Sequence, residues 1–96
     1  MLMYRKAVDL ADKAWAETGE RQYVMPMGRK LVVMGRKEFR ELKMKGYIGQ
    51  HVRVFDLDRE CFYATPYKDG ERGKFPKEVI KIKKDQWLDY ALNNQR

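Results

Sequence analysis

The spacing of apolar residues changes twice along this chain, and each change marks an element. Over residues 3–18 the spacing is helical. Met3, Ala7, Leu10 and Ala14 run along one stripe, widened by Tyr4, Ala11 and Trp15, while Arg5, Asp9, Asp12 and Lys13 face away from it. Arg5/Asp9 and Asp9/Lys13 stand at i,i+4, a spacing that supports a solvated helix face. Gly19 supplies the stop.

From residue 22 the period falls to two, and QYVMPM-GR-KLVVM reads as a β-hairpin. Gly28-Arg29 suits a two-residue type II′ turn. That turn sets Met27 opposite Lys30, Pro26 opposite Leu31 and Met25 opposite Val32. The closing pair is hydrogen-bonded and the next is not, so the Pro26 nitrogen points away from the partner strand. A proline is tolerated there when nothing pairs on its outer side, which predicts an edge strand over 22–27. Alternation places Tyr23, Met25, Val32 and Met34 on one face and Val24, Leu31 and Val33 on the other. A lone hairpin is marginal in water. At least one face is therefore expected to pack on helices, and the second is a candidate partner surface.

Gly35 breaks the strand, and helical spacing returns for about three turns from Arg36. Phe39, Leu42 and Gly46 share one side, with Arg36, Arg40 and Lys43 beside it. Glu38, Glu41 and Lys45 lie opposite, Glu41 and Lys45 as a favourable i,i+4 pair. Gly46 is a natural C′ residue, with Tyr47 and Ile48 folding back. The next stretch reads two ways. His51 to Phe55 alternates weakly like a strand, yet Val54, Leu57 and Cys61 fit i, i+3, i+7, and Asp56 can cap a short helix over about 56–62. Pro66 stops what precedes it, and YKDGERGK (67–74) is rich in turn residues. Pro76 is a good first helical residue, with Glu78 in the first turn and Ile80, Trp87, Leu88 and Ala91 on one side. The alternative is a strand EVIKIK and a helix beginning near Asp85. The predicted fold class is α+β: an N-terminal helix, an edge-exposed hairpin and two or three further helices. We expect one small domain over 1–96, with a flexible loop at about 67–75 and a frayed tail at 93–96.

Charge sharpens this picture. The 96 residues carry a formal +7, and the stretch from Arg21 to Ile48 holds 8 Lys/Arg against 2 Asp/Glu, so +6 lies there. The pI near 9.6 favours anionic partners. No run approaches a membrane span, and Arg5, Lys6, Asp9 and Asp12 interrupt any signal-peptide core. A single cysteine, Cys61, excludes an intrachain disulfide and fits a reducing compartment, so a cytoplasmic location is expected.

Catalytic chemistry finds no constellation. His51 is the only histidine and has no Ser or Cys near it in sequence. Cys61 sits in the apolar run CFYA, which predicts a buried, unreactive thiol. Asp56, Asp58 and Glu60 resemble the start of a calcium loop, but Cys61 stands where the glycine is required and Tyr67 where the glutamate is required. No phosphate-binding glycine loop, dinucleotide motif or zinc-ligand pair is present, so no cofactor or metal is expected.

The basic residues remain: Arg29 and Lys30 at the hairpin tip, and Arg36, Lys37, Arg40, Lys43 and Lys45 beyond it. Lys74, Lys77, Lys81, Lys83 and Lys84 form a second group, and Tyr23, Tyr47, Tyr63 and Tyr67 are interleaved. Such a set attracts phosphate backbones through counterion release, and exposed tyrosines stack on unpaired bases. The plainer reading is a solvated charged face with core aromatics. The leading expectation is a non-enzymatic binding protein for DNA, RNA or a nucleoprotein, through Arg29, Lys30, Arg36, Lys37, Arg40 and Lys43. The rival is a protein-interaction module or homodimer that uses the hairpin edge and Tyr23, Met25, Met27 and Met34.

The run VVMGRKEFRELKMKGYI, followed by DLDRECFYATPY, resembles small proteins of Bacteroides-type gut bacteria and their mobile elements, over most of residues 7–92. The resemblance carries no established activity and assigns no residue a role. It implies a bacterial cytoplasmic origin.

Overall fold

A computed structural model of the chain describes residues 4–27 and 30–93, the Met27 side chain apart. Within these residues the elements are α1 (Tyr4–Thr18), β1 (Tyr23–Met27), β2 (Lys30–Met34), α2 (Arg36–Met44), α3 (Val54–Glu60), β3 (Tyr63–Ala64) and α4 (Lys77–Asn93). The fold is α+β, with four helices around a three-stranded antiparallel sheet of order β2-β1-β3.

The hairpin pairs in the expected register, Met27 with Lys30, Pro26 with Leu31 and Met25 with Val32. The Gly28-Arg29 turn lies outside the described residues, as do Met3 and the tail beyond Asn93. The edge position expected for 22–27 is corrected: β1 is the central strand. Its Gln22 and Val24 carbonyls accept hydrogen bonds from the Thr65 and Phe62 amides, each at 2.9 Å. The next β1 residue to face that side is Pro26, which has no N–H to offer. β3 accordingly pairs only with Tyr23 and Val24. The proline limits the length of the neighbouring strand but does not exclude the strand.

Both faces of the sheet are covered, so the face held open for a partner is also corrected. Val24, Leu31 and Tyr63 point into a core with Tyr4, Ala7 and Ala11 of α1, Phe62, and Trp87 of α4. Tyr23, Met34 and Ala64 point the other way, onto Phe39 of α2, Leu57 of α3 and Cys61. Apart from Lys30 at the start of β2, the strands thus read as apolar at every position, the pattern of a sheet buried on both sides. Phe62, Trp87 and Tyr90 form a ring cluster with centroids 5.6–5.9 Å apart. Such pairs add about 0.5–1.5 kcal/mol each beyond the area they bury.

Polar groups hold α1 down. The Tyr4 hydroxyl donates to the Phe62 carbonyl (2.6 Å), and the Tyr63 hydroxyl donates to Asp12 Oδ1 (2.6 Å). Burial pushes the Tyr4 phenol up to about 12 and raises Tyr63 as well, where the adjacent Asp12 carboxylate adds to the effect. The apolar stripe of α1 is rotated from the expected one. Tyr4, Ala7 and Ala11 are buried, whereas Leu10 is 45% exposed.

α2 ends as its glycine predicted. The Tyr47 amide donates to the Leu42 carbonyl (3.0 Å) and the Gly46 amide to the Lys43 carbonyl (3.2 Å). That is a Schellman motif, and Gly46 takes the left-handed φ of 85° it requires. The ambiguous stretch after His51 resolves as a helix, Val54–Glu60, two residues earlier than the predicted start. Asp56 caps it from inside the first turn, accepting from the Arg53 amide (2.8 Å) and the Arg59 guanidinium (2.8 Å), which lower its pKa. EVIKIK is helical throughout, and α4 begins at Lys77, one residue later than expected, with Pro76 just before it and its carbonyl accepting the Ile80 amide. Leu88 is 48% exposed, and Tyr90 takes the place expected for it in the core. Among the described residues the ion pairs are Arg21–Asp58, Arg59–Asp56 and Arg72–Asp69. The expected i,i+4 pairs Arg5/Asp9, Asp9/Lys13 and Glu41/Lys45 are not closed, since an exposed pair gains little over water for the side-chain entropy it loses.

These burials set a direct comparison on one helix. Trp87→Ala should lower the unfolding free energy by about 3–5 kcal/mol, read from urea titrations. Leu88→Ala, one residue along, should cost less than about 1 kcal/mol.

Candidate functional site

The structure separates the basic residues into those that serve the fold and those that do not. Lys43 belongs to the first group. Its Nζ donates to the Val52 carbonyl at 2.7 Å and lies 5.8 Å from the centre of the Phe39 ring, so it ties α2 to the segment before α3. The sequence reading offered this lysine as a phosphate contact; in the structure one of its three donors is engaged by the fold. Lys83 likewise donates to the Arg59 carbonyl (3.3 Å). Lys30, Arg36, Lys37 and Arg40 are exposed and make no ion pair among the described residues. Arg29 lies outside the described residues.

Arg21, which the sequence did not single out, is the most heavily bonded side chain here. Its Nε donates to Asp58 Oδ1 (3.1 Å), and Nη1 donates to the carbonyls of Thr65 and Gly73 (2.8 Å each). The guanidinium also lies over the rings of Tyr23 (5.3 Å) and Tyr67 (4.5 Å). Only 8% of the Arg21 side chain is exposed, against 34% for Asp58. Gly73 has φ 78°, and a Cβ there would run into Arg21 Nη1 and the Tyr67 ring. The 67–75 loop expected to be mobile carries its own bonds. Asp69 accepts from the Glu71 and Arg72 amides (2.9 Å each), which lowers its pKa, and the Tyr67 amide donates to the Arg72 carbonyl (2.8 Å).

Beside Arg21 opens a cleft of about 630 Å³. Arg36 from α2, Arg53 from the N-cap of α3 and Lys68 from the 67–75 loop reach it, together with Phe55. Among the described residues none of these three cations forms an ion pair. The carboxylates in the lining are Asp58, already held by Arg21, and Glu20. Arg36 is the first residue of α2, where a cation opposes the helix dipole at a cost of roughly 0.3–1 kcal/mol. Helix stability therefore does not account for it. Arg53 and Lys68 lay outside the basic stretch singled out by sequence, because they join it only through the packing of α3 and the loop.

The rival set fares differently. Tyr23 (3% exposed) and Met34 (2% exposed) are core residues, and burial pushes the Tyr23 phenol up to about 12. They are not open to a partner in this fold. The Met27 side chain lies outside the described residues. Met25 and Pro26, half-buried, border a second groove of about 530 Å³ with Tyr47, Ile48 and Val52, mostly apolar with Glu60 as its charge.

Catalytic groups do not meet. Cys61 is fully buried, with its Sγ against the Asp58 carbonyl at 3.7 Å, and His51 is exposed. Burial pushes the Cys61 thiol up to about 11. Among the described residues no group of three or more His, Cys, Asp or Glu could hold a metal ion, and no helix is long and apolar enough to cross a membrane. Comparison with protein-family models, curated proteins and solved structures gives no match.

Two outcomes follow from this geometry. Cys61 should react slowly with a thiol reagent at neutral pH, because almost no thiolate forms below its raised pKa, and react rapidly once urea unfolds the chain. Arg21→Met should cost on the order of 2–3 kcal/mol. That is below the roughly 3–5 kcal/mol of a fully buried pair, since Asp58 keeps some water. Thermal melts of this variant beside Lys37→Met, an exposed control, check the claim.

Proposed function

We propose that this protein is a non-enzymatic nucleic-acid binder whose phosphate contacts centre on the cleft between α2, α3 and the 67–75 loop. The observation that carries the reading is the convergence of Arg36, Arg53 and Lys68, from three separate segments, on one cleft where, among the described residues, none of the three is in an ion pair. The exposed Lys30, Lys37 and Arg40 extend the positive field beyond it. Phosphates meet such a surface with release of condensed counterions, which gives affinity without sequence recognition.

The second reading, a protein-interaction module, draws on the apolar groove beside Pro26, where Tyr47 is 70% exposed. On the side of β1 that faces this groove the Pro26 nitrogen has no hydrogen to donate, so an added strand would lack a donor there. The groove is therefore suited to side-chain contacts more than to strand addition.

Binding of the full chain to labelled oligonucleotides, titrated with salt, tests the leading reading. Replacing Arg36, Arg53 and Lys68 with Gln should reduce the log–log salt slope by about 2–3, at roughly 0.7–0.9 per lost contact. The same exchange at Lys77, Lys81 and Lys84 should leave the slope nearly unchanged. Absence of binding by the unaltered protein at low salt overturns the reading. Under the second reading Tyr47→Ala changes the sedimentation behaviour while the cleft substitutions do not.

A further inference from the structure

The cleft presents an aromatic side chain that the fold does not use. Phe55 is the second residue of α3 and is 74% exposed, while Leu57, two positions on and about 200° round the helix, is buried in the core. Its neighbours Arg53 and Val54 line the same cleft. A Phe left in water forgoes the free energy of its burial, and it sits beside Arg36, Arg53 and Lys68, which form no ion pair among the described residues.

The other rings of the cleft are already engaged. Tyr67 has the Arg21 guanidinium at 4.5 Å and that of Arg72 at 5.1 Å. Tyr23 is buried beneath Arg21. Phe55 is the cleft aromatic with open surface.

From this we infer that Phe55 is a stacking platform for an unpaired base, with Arg36, Arg53 and Lys68 holding the flanking phosphates, so that the protein prefers single-stranded to double-stranded nucleic acid. The inference rests on the nucleic-acid reading above and makes it specific. A ligand for this site must pair a planar apolar surface with closely spaced negative charge, as a nucleotide unit does. A cleft of about 630 Å³ falls within the range of roughly 300–1,000 Å³ that holds small ligands. In a duplex the bases are stacked on one another and do not offer their faces to Phe55, whereas the phosphates remain accessible. Stacking on an aromatic side chain is tolerant of sequence.

The experiment compares the full chain with Phe55→Ala and Phe55→Tyr, using a single-stranded oligonucleotide and its duplex at fixed low salt. The unaltered protein should bind the single strand more tightly. Phe55→Ala should weaken single-strand binding by about 5- to 150-fold, the equivalent of roughly 1–3 kcal/mol per stacked base. Duplex affinity and the salt slope should stay the same, and Phe55→Tyr should keep most of the single-strand affinity. Since Phe55 is exposed, the variants should melt with the parent, which circular dichroism checks. Unchanged single-strand affinity in Phe55→Ala, together with weakened binding in the Arg36/Arg53/Lys68 variant, overturns the stacking role and leaves the general reading standing. Failure of the unaltered protein to bind either oligonucleotide overturns both. Binding of polyglutamate as tightly as the single strand, with the same dependence on Phe55, overturns the inference in favour of an acidic protein partner.

Discussion

One guanidinium joins four segments of this chain. Arg21 precedes β1, and its side chain reaches Asp58 on α3, the Thr65 carbonyl after β3 and the Gly73 carbonyl in the loop before α4. Lysine could not make this set of contacts, because the planar fork of arginine directs several donors at once and its flat face stacks on Tyr23 and Tyr67. With Arg21 almost fully buried and Asp58 partly so, the pair contributes little net stability, since desolvation offsets much of the attraction. What it supplies is position. β3 has two residues and cannot by its own ladder fix where the chain goes next. The Arg21 bonds set that course and bring Lys68 to the cleft opposite Arg36.

The same interaction shapes the electrostatics. Asp58 is the carboxylate best placed to neutralise the cleft, and Arg21 occupies it. The three remaining cations therefore act on whatever enters from solvent. The distinction between Lys43 and Arg36 rests on similar grounds. Lys43 spends a donor on a backbone carbonyl that a loop would otherwise leave unpaired. Arg36 spends none on the protein. The proposed binding surface is made of the charges that remain after the fold has satisfied its own acceptors.

A sheet with both faces buried explains why so small a chain needs four helices. Tyr23, Met25, Val32 and Met34 alternate with Val24, Leu31 and Val33, and neither set is polar. Each face needs its own cover, α1 and α4 on one side and α2 and α3 on the other. The aromatic cluster of Phe62, Trp87 and Tyr90 closes the first. Short loops and small helices close the second, and it is there that the grooves remain.

Local physics made much of this legible in the sequence. The hairpin register followed from a two-residue turn, the end of α2 from Gly46 and the start of α4, to within one residue, from Pro76, because each depends on dihedral angles and hydrogen bonds within a few residues. The burial of Cys61 was likewise readable from its apolar neighbours. Contacts between distant segments were not readable. Pro26 pointed to an edge strand, and nothing local showed that a two-residue strand some forty positions later would pair on that side, short of the proline. The α1 stripe turned away from Leu10 because Tyr4 had a partner in Phe62, just before β3, and Asp12 one in Tyr63 on β3. A run of basic residues shows where charge lies along the chain, but which cations are spent on carbonyls depends on what packs beside them. The tertiary structure alone tied Lys43 to the Val52 carbonyl and gathered Arg53, Lys68 and Phe55 with Arg36 around one cleft.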